Sequence, residues 1–253
     1  MNASPIFNFK TDLSEVPIPT KLNNPFGSEI PVIAKIAAQE FQTFITSEAE
    51  KWQYNFHTQK GKMLGVLVVQ KSDQTYAYLG AVSGKLPNNA QSKQLVPSVF
   101  DDAADDFFIN KGMTELTALS RQINNTTDPT QIITLKEKRK QKSISLQRQL
   151  FENYRFSNLS GQEAHLLDIF QRATNGTPPS AAGECAAPKL LQYAIKNQLK
   201  PIALTEFWWG NPSKNNDRTH KVFYPACKEK CRPILEYMLE DANLFDERFL
   251  TKK

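Results

Sequence analysis

The three cysteines of the chain are the residues whose type and spacing most directly suggest chemistry. Pro188 is tolerated only in the first turn of a helix, so a helix begins beside Cys185 and this residue lies at its N-terminal end. Cys227 and Cys231 are four residues apart, and Pro233 places both in the entry turn of the next helix. All three thiols therefore lie at helix N-termini.

Helix N-termini lower thiol pKa values and favour the thiolate, which is the form that binds metals and attacks electrophiles. Three thiolates with one further ligand, a water or a histidine, would complete a tetrahedral zinc site. We therefore expect the sulfurs of Cys185, Cys227 and Cys231 to meet at the edge of a shared sheet as zinc ligands. Two alternatives stay open: small buried residues that pack helix ends against a sheet, or a nucleophile, Cys227 or Cys185, activated by His220.

Apolar patterning predicts the elements that position these thiols. Residues 63–69 and 75–82 are β-rich and form a predicted hairpin, and the unbroken apolar run of the first strand indicates a central position covered on both faces. A further strand is expected over 201–210, between the two cysteine segments. With an amphipathic helix from residue 32 to about Trp52, the pattern predicts an α/β domain whose mixed sheet is flanked by helices.

A basic helix interrupts this predicted domain. Residues 131–154 are predicted to form one long helix. This helix carries five cations within seven residues: Lys136, Lys138, Arg139, Lys140 and Lys142. Such a run is either an ordinary solvated face or a stripe that contacts phosphates. We expect an α/β domain over 1–111 and 155–253, with a basic, coiled-coil-like helical insertion over 112–154.

Composition narrows the class of protein. A length of 253 residues is too great for a disulfide-dependent mini-protein, and a formal net charge of +5 with a pI near 9.0 favours a polyanionic partner. The sequence contains no secretory signal pattern and no apolar run long enough to cross a membrane. We therefore expect a cytoplasmic protein with reduced thiols and no membrane association.

The order hairpin, cysteine-bearing helix, strand, cysteine-bearing helix resembles the zinc-dependent nucleotide deaminase fold. Cys185-Ala-Ala-Pro-Lys189 is similar to the first motif of some toxin-type deaminases, in which a glutamate two residues after the first ligand carries protons. The matching residue is Ala187, and the second motif has three residues between Cys227 and Cys231 instead of two. The resemblance therefore implies a zinc-dependent hydrolase acting on nucleotides or RNA only if Glu184 supplies the missing carboxylate.

A second resemblance covers most of the chain. Five blocks look like the N-terminal extension of bacterial RluA-type RNA pseudouridine synthases: 65–69, 78–86, 179–191, 206–210 and 223–227. The resemblance implies an RNA-binding accessory region that precedes a C-terminal pseudouridine synthase domain. That family needs an aspartate in a His-Arg-Leu-Asp context, and no histidine here is followed by Arg-Leu-Asp, so we expect no catalysis by this chain alone.

The expected partner of such a region is structured RNA, either rRNA or tRNA. The basic run would bind phosphates, while Trp208 or Trp209 could stack an unpaired base. Alternation along a strand places these two indoles on opposite faces, so at most one of them would be free. A second copy of the chain is a further candidate partner, through the helical insertion.

Overall fold

The computed structural model describes most of the chain. The described residues are 4–52, 54–86, 93–100, 106–213, 215 and 217–240. Their strands are β1 (Ile6–Asn8), β2 (Lys62–Gln70), β3 (Tyr76–Val82), β4 (Arg155–Ser157), β5 (Glu163–His165), β6 (Lys200–Trp209) and β7 (Phe223–Tyr224). Their helices are α1 (Val32–Glu48), α2 (Asp106–Asn125), α3 (Pro129–Glu152), α4 (Leu166–Thr174), α5 (Ala186–Lys196) and α6 (Arg232–Met238).

The main sheet has five strands in the order β1-β3-β2-β6-β7, and β2 is central as its apolar run predicts. Every recorded strand pair in the described residues is antiparallel, so the expected mixed sheet is wrong. Since β3 and β6 are both antiparallel to β2, they run in the same direction, as strands joined through a helical crossover do. The central strand lies between them, so β3 and β6 form no parallel pair with each other in the described sheet.

Helices cover both faces of this sheet. Pro31 precedes α1, whose buried face includes Ile33, Phe41 and Ile45, and this face packs with Val66 of β2 in one hydrophobic core. A second core lies on the opposite face, where α4, α5 and α6 pack together. The described residues therefore form an α/β architecture in which α1 lies on one side of the sheet and the cysteine-bearing helices on the other.

The region predicted as a helical insertion forms a hairpin of α2 and α3. Asp128 ends the short connection and caps α3, because its carboxylate accepts a hydrogen bond from the Thr130 N–H at 3.0 Å. Cross-contacts at opposite sequence positions show that the helices are antiparallel: Arg139 donates to Ser120, and Lys142 pairs with Glu115 nearer the start of α2. Both helices keep largely exposed outer faces.

Candidate metal centre

Two short segments carry the three thiols to the same edge of the sheet. Cys185 is the N-cap of α5 and adopts an extended backbone, with φ −71° and ψ 155°. Strand β7 pairs with β6, and the chain then passes Ala226, whose N–H donates to the Pro25 carbonyl at 2.8 Å. A turn follows between Cys227 and Cys231, and Cys231 is the N-cap of α6. Both cysteine segments thus lie at helix starts, as Pro188 and Pro233 predict.

The ligand atoms of the three cysteines lie within 4.8 Å of one another, which confirms the predicted convergence. The sulfurs of Cys227 and Cys231 are 3.4 Å apart and form no disulfide, and Cys185 is also a free thiol. Three sulfurs bound to one tetrahedral zinc at ~2.3 Å would be ~3.8 Å apart. The observed separations bracket this value, so the three thiols fit a zinc ion.

Hydrogen bonds already favour one thiolate in this cluster. Hydrogen bonding with Cys185 and Cys231, together with the N–H groups of Lys230 and Cys231, lowers the pKa of the Cys227 thiol. Hydrogen bonding with Cys227 raises the pKa of Cys185, and hydrogen bonding with Cys185 and then Cys227 raises that of Cys231. Two thiols therefore retain protons that a bound divalent cation would displace.

Glu206 of β6 is a buried carboxylate beside this cluster, and the sequence patterns did not identify it. Its carboxylate accepts a hydrogen bond from the Ala187 N–H at 3.1 Å, inside the first turn of α5. Burial raises the pKa of Glu206 to about 7, and the Cys227 thiolate acts in the same direction. Gly65 on β2 allows this approach, because a Cβ there would lie 3.0 Å from the Ala186 Cβ and 3.4 Å from the Glu206 Cγ.

Glu184, the sequence-derived candidate for a proton carrier, is held by three side chains. Its carboxylate pairs with the Lys189 ammonium at 3.2 Å and accepts hydrogen bonds from the Tyr154 and Ser98 hydroxyls, the latter at 3.3 Å. Burial alone would raise the pKa of Glu184, but the Lys189 charge together with the hydrogen bonds from Tyr154 and Lys189 outweighs burial, so the pKa is lowered. The Lys189 ammonium also donates to the Val82 and Gly84 carbonyls. Through these contacts Lys189 holds the start of α5 against the end of β3.

A small cavity lies beside Glu206 and Ala226, and no cysteine is among its lining residues. It has a volume of about 100 Å³, and its lining includes Asn24, Thr205, Glu206, Tyr224 and Ala226. Pockets that bind nucleotide-sized ligands typically measure roughly 300–1,000 Å³. In this conformation the cavity is therefore too small for a nucleoside.

The remaining sequence-derived candidates near β6 lie apart from the thiols. The ring nitrogen Nδ1 of His220 accepts the Gly210 N–H at 3.0 Å, and its ring centroid is 4.4 Å from that of Trp209. Within the described residues no contact joins His220 to a cysteine, so the arrangement does not support the thiol–histidine pair. Trp208 and Trp209 are 8% and 6% exposed, and the Trp208 indole N–H donates to the Asn211 carbonyl. Neither indole offers a free face for a base.

The basic run on α3 divides into two groups. Arg139 and Lys142 reach back to α2, where they contact Ser120 and Glu115. The side chains of Lys136, Lys138 and Lys140 are exposed, and no ion pair is recorded for them among the described residues. These three lysines project into solvent, as Lys111, Arg121 and Arg148 of the same hairpin also do.

Comparisons with known proteins supply no relative. No protein-family model matches the chain, and neither the curated proteins nor the solved structures contain a significant match. Among the described residues, no helix has the length and apolar character needed to cross a membrane.

Proposed function

We propose that the chain is an RNA-binding accessory region of an RluA-type RNA pseudouridine synthase, acting in the cytoplasm and not catalytic by itself. The observation that carries the RNA-binding part is the charge of α3. This helix contains six basic and two acidic residues, a net charge of +4, against +5 for the whole chain. Most of the excess positive charge thus lies on α3; α2 is neutral and Asp128 lies in the connection, so the projecting hairpin carries +3, and a positive charge concentrated on one surface is the electrostatic signature of phosphate binding.

The three outward lysines are the groups that would contact phosphates. Lys136, Lys138 and Lys140 are exposed on α3 and keep their charge available to solvent. Each lysine that neutralises one phosphate releases counterions, so affinity falls with salt in proportion to the number of contacts. Structured rRNA or tRNA is the substrate class that this proposal names.

The test measures binding to a structured RNA by fluorescence anisotropy across a salt series. Neutralising Lys136, Lys138 and Lys140 together to glutamine should weaken binding and reduce the slope of log affinity against log salt by about 2–3. The matched control neutralises Lys10, Lys35 and Lys200, which are exposed on the α/β body and change the net charge equally. Equal losses in both triple variants would show that the hairpin is not the RNA surface.

The kinship with pseudouridine synthases is supported by where the resembling blocks lie. They contribute Gly65, the Gly84 carbonyl, Cys185, Glu206 and Cys227, which surround the thiol cluster or fasten its helix. A structural core around the thiols that is common to both proteins would explain why the resemblance lies in these blocks and not in the hairpin. The gene of the parent protein should encode a domain with the His-Arg-Leu-Asp sequence, and its absence from the gene would exclude this part of the proposal.

We also propose that the thiol cluster holds a structural zinc ion. When bound, zinc would join the β7 turn to the start of α5 through the three cysteine sulfurs. Metal analysis of the purified chain should give one zinc per molecule, and serine at Cys185, Cys227 or Cys231 should reduce this. Lys228→Ala changes an exposed residue of the same turn and should leave the zinc content unchanged. A zinc-free wild-type protein after growth in zinc-rich medium would contradict the assignment.

A second candidate is a zinc-dependent, deaminase-like hydrolase acting on nucleotides or RNA. Two observations favour it: three thiols leave one tetrahedral position open, and Glu206 supplies a carboxylate at the Ala187 N–H, where the related motif has its glutamate. The zinc-loaded chain would then release ammonia from cytidine- or adenosine-containing RNA, and Glu206→Gln would abolish the release. The size of the cavity makes this the less favoured function.

A further inference from the structure

The outward face of α3 carries four residues that form a stripe along the helix: Ile133, Glu137, Lys140 and Ile144. Their spacing of four, three and four residues places them on one side of a helix. Ile133 is 69% exposed and Ile144 is 50% exposed, which makes them two of the most exposed large apolar side chains on the described residues. Ile133 and Ile144 are ~16 Å apart along the helix and form no continuous apolar patch, so the case for a partner rests on the symmetry of the whole stripe.

This stripe faces away from α2. Arg139 and Lys142 mark the side of α3 that contacts α2, through Ser120 and Glu115. At ~100° per residue, Glu137 lies ~200° around the helix axis from Arg139. The stripe is thus free of the hairpin's own packing and is available to another molecule.

The stripe is complementary to itself. Its midpoint falls between residues 138 and 139, so Ile133 and Ile144 are equally distant from it, and so are Glu137 and Lys140. An antiparallel second copy of α3 therefore sets Ile133 against Ile144 and Glu137 against Lys140, twice. A surface in which each residue meets its counterpart through a two-fold axis is the requirement for a symmetric dimer.

We propose that two copies of the chain pair through this stripe, with their α3 helices antiparallel about a two-fold axis. Two observations favour a second copy over RNA: the stripe has no net charge, and half of it is apolar. Within the part of the chain that the structure describes, the Glu137 carboxylate accepts a hydrogen bond from the neighbouring Gln141 side chain at 2.7 Å, on the exposed surface, and a partner lysine can replace this bond. At ~100° per residue, Lys136 lies ~70° and Lys138 ~130° around the helix axis from the centre of the stripe, so both stay accessible in the dimer.

Cysteine cross-linking tests the register of this pairing. In the double variant Ile133→Cys/Ile144→Cys, each new thiol faces the other position of the second copy. Within one helix the two positions are eleven residues and ~16 Å apart, too far for a disulfide inside one chain. Mild oxidation should therefore give a covalent dimer only for the double variant. Each single variant and the wild type, which retains its three native cysteines, should remain monomeric on non-reducing gels.

Charge reversal tests the same pairing without new thiols. Glu137→Lys sets lysine against Lys140 at both ends of the interface, and Lys140→Glu sets glutamate against Glu137. Each should weaken the dimer about tenfold in sedimentation equilibrium, and the double reversal should restore wild-type affinity because opposite charges again face each other. All four positions are exposed, and unchanged thermal melting would show that the variants are folded.

Two results would overturn the proposal. A monomeric wild type at high concentration, with no covalent dimer from the double-cysteine variant, would assign the stripe to RNA or to a different protein. Cross-linking of the single variants to the same extent would show parallel or unspecific contact. Lys140 is also one of the lysines proposed to bind RNA, so the dimer is measured without RNA, and neither zinc content nor RNA affinity enters this test.

Discussion

Replacing Lys189 with methionine should destabilise the fold without removing the metal ligands. The Lys189 side chain is fully buried, and its ammonium binds the Glu184 carboxylate together with the Val82 and Gly84 carbonyls. Methionine fills similar volume but donates no hydrogen bond. The substitution therefore leaves a buried carboxylate without its counter-charge and two carbonyls without their donor.

The expected cost follows from these contacts. Removing one partner of a buried ion pair typically costs about 3–5 kcal/mol, because the remaining charge is desolvated and uncompensated. Glu184 keeps the hydroxyl donors of Tyr154 and Ser98, so we expect a loss near the lower end, about 3 kcal/mol. Glu184→Gln should also destabilise, because it leaves the Lys189 ammonium buried beside two carbonyls only. The double variant removes both charges and should cost at least about 1 kcal/mol less than the sum of the single changes.

Urea unfolding of all three variants at pH 7 measures these free energies, and metal analysis of the same samples measures the zinc content. Lys196→Met, on an exposed position of the same helix, is the matched control and should change the stability by less than about 0.5 kcal/mol. The reasoning fails if Glu184→Gln is as stable as the wild type, or if the two single costs add in full. Loss of a hydrolytic activity by a stable Glu184→Gln protein would instead restore that glutamate as the proton carrier.

Three further outcomes can be measured. Gly80→Ala should cost about 2–3 kcal/mol in urea unfolding, because the new Cβ would lie 2.2 Å from the buried Phe41 ring. Burial raises the pKa of Glu206 to about 7 from 4.5, so the folded chain holds a proton that the unfolded chain has released between these values. The free energy of unfolding of the metal-free protein should therefore fall by up to about 3 kcal/mol as pH rises through this window, and Glu206→Gln should remove the fall. Chelator treatment should lower the melting temperature, since free zinc at 100 times its Kd stabilises by about 2.7 kcal/mol; an unchanged melting curve would exclude a metal-dependent fold.

The positions of the thiols were predictable because proline acts locally. Pro188 and Pro233 fix where α5 and α6 begin, and each cysteine segment directly precedes or includes that start. The central position of β2 was equally predictable, because its unbroken apolar run must be covered on both faces. These features depend on neighbouring residues only, and the structure confirms them.

Features that depend on distant residues were not predictable in the same way. Strand β1 lies in a proline-rich leader and pairs with β3, about 70 residues away, so no local sequence pattern predicts this strand. The expected mixed sheet failed because sequence order does not show that β2 separates β3 from β6. In the sequence, Glu206 is one of the few polar residues of a mostly apolar strand. Its carboxylate gains a partner only because α5 packs against β2.

Glu206 changes the interpretation of Ala187, which stands where the deaminase motif has a glutamate. Ala187 stands where a deaminase-like site would use a glutamate, but its N–H binds the carboxyl group of Glu206 from β6, so a carboxyl group is still present at that position. The alanine at position 187 therefore does not decide between the two proposed functions. The space available beside the cysteine sulfurs does. A structural ion tolerates a closed site, while hydrolysis requires room for a base beside the sulfurs. The cavity that reaches Glu206 measures about 100 Å³ and has no cysteine in its lining, so it gives a base no room beside the sulfurs, which is why the accessory role is the stronger proposal.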